Sequence, residues 1–182
     1  MKCSITRQDR QGRQRGGVSL FLREDLTGET LCSHSNGVCE VLVMHVHQLN
    51  TIVTIIYRPP ETCLSEFASI LNMLEKVFQK LPLPAPTITI MGDLNFPSSA
   101  MTWQMVDGVL LPRVDGHRLS GHDSSSEGGL VRQQAVKLCD LAVKYNLTQQ
   151  VLIPTREREI LEHFGPMILT SYPTYRWTPS RT

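Results

Sequence analysis

Between residues 64 and 81 the chain changes its period. Leu64, Phe67, Leu71, Leu74, Phe78 and Leu81 recur at helical spacing on one stripe. On either side the pattern belongs to strands. EVLVMHVHQ (40–48) and TIVTIIYR (51–58) precede the stripe, and TITIM (87–91) follows it. A helix set between strands has to bury its apolar stripe on the sheet they form, which predicts a layered mixture of α and β. The flanks agree. Thr62 or Ser65 is a candidate cap, and LPLPAP (81–86) ends the helix.

The rest of the chain fits the same plan. GGVSLFL (16–22) reads as a strand opening at a glycine pair. The Leu-Asn pair at 49–50 joins 40–48 to 51–58 as a hairpin, and Pro59 and Pro60 stop the second strand because proline offers the ladder no N–H. Residues 98–129 are polar and rich in Gly and Ser, which predicts a long surface loop with a short element around Trp103. A second helix is expected over 130–145, with Val131, Ala135, Leu138, Ala142 and Tyr145 on one face and Asn146 as a left-handed stop. LTQQVLIPT (147–155) reads as extended. Pro166, Pro173 and Pro179 punctuate the end, which is expected to be irregular. The reading divides the chain into a basic arm over 1–15, one domain over 16–162 and a tail over 163–182.

With 182 residues, 41% hydrophobic and 19% charged, the chain is large enough for one domain with a core. Its net charge of +1 provides no global field for nucleic acid. Charge is nevertheless concentrated at the start. Lys2, Arg7, Arg10, Arg13 and Arg15 face a single early acid, Asp9. Such an arm can touch phosphates or can simply be a solvated terminus. The five cysteines form no CxxC pair, which fits reduced thiols better than a disulfide framework or a zinc site. No secretory h-region or membrane-length apolar run appears, so the expectation is an intracellular, nuclear or cytoplasmic protein without a membrane partner.

One polar pair stands out. In TITIMGDLNFP (87–97) an alternating strand ends in Gly92 and delivers Asp93 and Asn95 two residues apart. On a continuing strand both point to one face and Leu94 to the other. A carboxylate binds a cation or takes a proton from water, while a neutral amide holds a water or a phosphate oxygen without adding negative charge. Taken alone, the same residues also make an ordinary turn. Two further features narrow the choice. Tyr57 and Arg58, in IYRPP (56–60), put a phenol and a fixed cation at a strand end. Thr155, in PTR (154–156), puts a hydroxyl beside a guanidinium after an extended run. His45 and His47 form an HxH pair, which is weak evidence for a metal site.

RGGVSLFL, IYRPP, the amphipathic helix, ITIMGDLN, the second helix and LTQQVLIPTR, in that order, resemble the endonuclease/exonuclease/phosphatase superfamily. The resemblance is nearest to the apurinic-type endonuclease domains of non-LTR (LINE-type) retrotransposons and runs from about residue 7 to residue 161. It implies a four-layered, DNase I-like α/β sandwich, two sheets face to face with helices outside. It also implies hydrolysis of phosphodiester bonds with Mg²⁺ and an activated water, with DNA as the partner and a nick that primes reverse transcription as the outcome. By position, Asp93 orients or deprotonates the water, Asn95 helps to hold it, Tyr57 lies beside the scissile phosphate, Arg58 assists binding, and Thr155 faces the phosphate or is structural.

The sequence also departs from that family. The family's asparagine-bearing strand and its metal-binding glutamate belong upstream of residue 1. Its closing Asp-His pair has no counterpart here. Glu162 stands where an aspartate is expected, one methylene longer than a site of ångström tolerance accepts. His122 and His163 read as surface histidines. The expectation is a truncated fragment of a nuclease with little or no activity in isolation. Two alternatives accompany it: a non-catalytic remnant that binds nucleic acid or a protein through its basic arm and Arg58, and a superfamily hydrolase of a small phosphate ester, against which YRPP argues.

Overall fold

In the computed structural model of the chain the described residues are 2–10, 12, 16–35, 38–96, 102–106, 109–113, 127–150 and 167–171. Strands β3 (Gly28–Ser35), β4 (Glu40–Val46), β5 (Thr51–Tyr57), β6 (Thr87–Asp93), β9 (Leu147–Gln149) and β10 (Met167–Ser171) build a six-stranded sheet in the order β3-β4-β5-β6-β10-β9. The predicted hairpin is β4–β5, joined by a 3₁₀ turn at His47–Leu49 with Asn50 in the left-handed region. Strands β5 and β6 are parallel, and parallel neighbours need a crossover. Helix α1 (Leu64–Phe78) supplies it.

Helix α1 buries Phe67, Ile70, Leu71, Leu74 and Phe78, close to the predicted stripe. Neither Thr62 nor Ser65 caps it. Cys63 is the N-cap residue, and its N–H donates to the Glu66 carboxylate at 3.2 Å, while the Thr62 hydroxyl donates to the Pro59 carbonyl at 2.7 Å. Helix α2 (Glu127–Lys144) adds Ala135, Leu138, Leu141 and Ala142 to the same core, and Asn146 follows it at φ +51°, as expected for the stop. Both helices cover one face of the sheet, packing on Val41, Val43, Ile52, Ile56, Ile88 and Ile90. No described helix is long and apolar enough to cross a membrane.

The opposite face is covered by an antiparallel pair, β1 (Cys3–Asp9) and β2 (Gly17–Arg23). Val18 and Leu22 of β2 pack on Leu42, Met44 and Val46. The described residues thus supply helices, a large sheet and part of a second sheet, three of the four layers of a DNase I-like sandwich.

Three local expectations change. Residues 3–9, within the stretch read as a basic arm, form a strand: Arg7 pairs with Asp9 at 2.5 Å, and alternation along CSITRQD suits pairing with β2. Within 98–129, strands β7 (Thr102–Val106) and β8 (Val109–Arg113) form an antiparallel pair. Asp107-Gly108 between them in sequence is a strong hairpin signal. Within the stretch read as an irregular tail, β10 takes a central place, antiparallel to both β6 and β9. The Ser171 hydroxyl even accepts the Ile88 N–H at 2.7 Å. Five residues without proline suffice for a strand when both edges are already waiting.

Candidate active site

The tip where β5 and β6 end is built by close approach. Gly92 stands opposite Ile56 at φ +143°, and a Cβ there would lie 1.8 Å from the Ile56 carbonyl oxygen. Only glycine lets the two strands stay paired to their ends. The next pair in register is Tyr57 and Asp93. Paired neighbours on adjacent strands point to one face, so the phenol and the carboxylate share the face opposite the helices.

Asp93 is exposed, and β6 ends with it. The chain then turns instead of continuing as a strand. Leu94 does point to the core, 4% exposed, as expected. Asn95, however, adopts φ +46°, donates its N–H to Asp93 Oδ1 at 3.1 Å and directs its amide Nδ2 to the Arg58 carbonyl at 2.8 Å. Arg58 N–H donates to the Asp93 carbonyl at 2.9 Å. The turn reading and the site reading of GDLN therefore describe the same residues: the turn holds Asp93 in place. Asn95 is committed through its nitrogen to the turn.

Arg58 does not face a substrate. It is fully buried on the helix side. Nε donates to Gln134 Oε1 at 2.7 Å, a second guanidinium nitrogen donates to the same oxygen, and a third donates to the carbonyls of Leu94 at 2.9 Å and Asn95 at 3.2 Å. Gln134, itself buried, donates to the Thr62 carbonyl at 2.7 Å. The guanidinium carbon lies 4.6 Å from the Phe96 ring centroid and 5.7 Å from that of Phe67. Burial pulls the Arg58 pKa down from its ordinary value, with Cys39 and Glu61 opposing. The reason for the altered role is geometric. Consecutive residues of an extended segment face opposite ways, so Tyr57 outward puts Arg58 inward.

Two residues that sequence reasoning did not bring to this tip, Glu40 and Arg10 of the basic stretch, stand beside Tyr57. Glu40 is its register partner on β4 and is fully buried. Arg10, just past β1, meets Glu40 with Nε to Oε1 at 2.5 Å and a terminal nitrogen to Oε2 at 3.0 Å, and its guanidinium lies 5.1 Å from the Tyr57 ring centroid. Glu40, Tyr57 and Asp93 thus form one row across three strands, with Arg10 over it. The pairing spans thirty residues of chain and has no local signature.

Thr155 lies outside the described residues, as do His122, Glu162 and His163. His45 and His47 stack edge to face at 4.8 Å between centroids. Among the described residues no three His, Cys, Asp or Glu side chains gather as a metal site. A magnesium ion would find one exposed carboxylate here, Asp93, while Glu40 is occupied by a guanidinium that repels cations. The described residues do not make a complete site for the ion.

No family model and no curated protein matches the sequence. Among solved structures, the chain is similar to the endonuclease domain of TRAS1, a telomere-specific non-LTR retrotransposon. The TM-score is 0.50 at 12% identity, over 93% of this chain and 67% of that one. At that identity the likeness is one of fold. The fold class implied by the retrotransposon-endonuclease resemblance is the fold this chain has.

Proposed function

We propose that the chain is part of a retrotransposon-type DNA endonuclease in which Tyr57, Asp93 and Asn95 form one side of a phosphodiester site, and that alone it cuts weakly or not at all. The observation that carries this reading is the register of Tyr57 against Asp93 at a tip that Gly92 makes possible. A phenol that donates to an anionic oxygen stands beside a carboxylate that accepts a proton from water. The Asn95 side-chain nitrogen holds the turn, which leaves the side-chain amide oxygen, Oδ1, as the group to orient a water. Arg58 belongs to the support of this site: from inside the core it pins the carbonyls of Leu94 and Asn95. Thr155 is kept as a phosphate-facing or structural position by resemblance alone. Magnesium dependence likewise rests on resemblance, and the ion's remaining ligands have to come from outside the described residues.

Binding without catalysis is the second reading. It is less favoured, because Arg7 and Arg10 of the basic stretch are spent on Asp9 and Glu40. The test is nicking of supercoiled plasmid by the purified chain, with and without Mg²⁺, against Asp93→Ala. Weak nicking that needs the ion and drops by a factor of about 10² or more in the variant supports the endonuclease. Equal nicking by both proteins removes Asp93 from the chemistry. A salt-dependent gel shift without any nicking, retained in Asp93→Ala, establishes the binding reading instead.

A further inference from the structure

We propose that Arg10 and Glu40 are a positioning pair for Tyr57: Glu40 holds the Arg10 guanidinium over the phenol ring, and the guanidinium fixes the ring beside Asp93. The relevance of that orientation to a phosphate rests on the endonuclease reading; the fixing of the ring does not.

Tyr57 is the last residue of β5 and is only partly buried. At such a place more than one staggered χ1 well is open to the side chain, and χ1 sets where the phenol oxygen lies, because χ2 only turns the ring about the axis on which that oxygen sits. A neighbouring group has to choose where the hydroxyl points. The ring's register neighbours are Glu40 on one side and Asp93 on the other. Two carboxylates flanking a phenol that is to approach an anion are a poor arrangement unless one is neutralised. Arg10 neutralises Glu40 through a two-point fork, and the fork fixes the plane of the guanidinium as a single contact would not.

The guanidinium is confined on another side too. Gly16 stands at φ +112°, and a Cβ there would lie 2.8 Å from the Arg10 guanidinium carbon and 2.9 Å from Nε. The missing side chain is the space the guanidinium occupies. Arg10 is thus wedged between the Gly16 backbone and the Tyr57 ring, with Glu40 holding its fork. Hydrogen bonding to Glu40 holds the guanidinium firmly charged; burial opposes this and Tyr57 adds to it. Glu40 cannot be left alone at full burial, so the pair forms wherever the chain folds. A pair whose only purpose was to dock the β1–β2 hairpin would have no need to lie on the Tyr57 ring.

The test separates positioning from support. The variants are Arg10→Gln, Arg10→Lys, and the double variant Arg10→Met with Glu40→Leu. The double variant replaces a buried ion pair with apolar groups, an exchange that leaves many proteins as stable as before. Protein labelled with ¹³C in the tyrosine rings is observed by NMR without metal or DNA, the Tyr57 signal being assigned by Tyr57→Phe. Tyr145, packed edge to face on Phe78 against the helix-side core, is the internal control. In Arg10→Gln and in the double variant the Tyr57 signal is expected to move or broaden while that of Tyr145 stays. Arg10→Lys, which keeps the charge and loses the fork, is expected to restore it part of the way.

Where the wild type nicks, kcat is expected to fall about tenfold with KM within about twofold. A Tyr57 signal unmoved in the folded double variant overturns the proposal, and so does an unchanged kcat. If the wild type does not nick, an outcome the endonuclease reading allows for the chain alone, the ring signal by itself decides the pair. If Arg10→Gln fails to fold, the double variant decides.

Discussion

On its helix-covered face the six-stranded sheet is packed as a protein interior. Phe67, Ile70, Leu74, Phe96 and Leu138 are all but inaccessible there, and the cluster draws on both helices and four strands. On the other face two side chains of β2, Val18 and Leu22, complete the burial, and the pair β1–β2 turns Ile5 and Phe21 outward at 57% and 64% exposure. Each face holds one arginine of the tip. Arg58, on the packed face, is surrounded by neutral acceptors and rings; Arg10, on the thin face, is matched to a carboxylate. The difference is one of surroundings. The packed face buries a charge that holds a loop, while the thin face leaves Tyr57 partly buried and Asp93 exposed to solvent.

Arg58 gives the largest expected break in that contrast. Arg58→Ala leaves Gln134 Oε1 and the carbonyls of Leu94 and Asn95 without their donor and opens a cavity between two aromatic rings. The expected loss is about 4 kcal/mol, from unpaired buried acceptors together with the cavity. Urea unfolding of the purified protein measures it. A loss below about 1 kcal/mol would mean that the guanidinium is solvated and that the packed face is not closed at the tip. Arg58→Lys should recover little, since one ammonium cannot span Gln134 and the loop carbonyls.

The thin face should answer more gently. Leu22→Ala removes one of the two β2 side chains buried against Leu42, Met44 and Val46. The expected cost is about 2 kcal/mol, at the low end for a buried leucine, because the hairpin can settle into the space it leaves. Hydrogen exchange sharpens the comparison: amides of β1 and β2 should lose protection in this variant before those of β4, β5 and β6. Uniform loss across both layers would show that the two faces unfold as one unit.

These differences also explain what was legible. Hairpin β4–β5, helix α1, strand β6 and helix α2 were readable because each has a period of its own, and Gly92 and Asn146 mark ends that local sterics dictate. The parts that escaped depend on distant partners. Strand β10 sits in the sheet because Met167 finds Gly92 and Leu169 finds Gln149, pairings that MILTS does not advertise. Arg58 looks like a surface charge until Gln134, seventy-six residues on, takes its guanidinium. The motif residues of YRPP and GDLN do meet at one strand tip, yet the motif could not say that Tyr57 and Arg58 face opposite ways there, or that Asn95 would leave the strand. Arg10 and Glu40 were beyond reach for the same reason: a buried ion pair is a tertiary event.

Phe21 gives the smallest expected effect and the finest test of the thin face. It pairs with Ile5 across β1–β2, and the two rise from the side of the hairpin turned away from the sheet. A phenylalanine so exposed contributes little to the fold, because little of its surface leaves water on folding. Threonine at the same position keeps β-propensity and trims the apolar area. Phe21→Thr should therefore change the unfolding free energy by no more than about 0.5 kcal/mol, while raising solubility, since adjacent exposed apolar side chains on a two-stranded edge invite association. Light scattering at rising concentration reads the second effect and urea unfolding the first. A loss of about 2 kcal/mol or more would show that Phe21 is covered in solution, and the thin face would then have a further layer upon it.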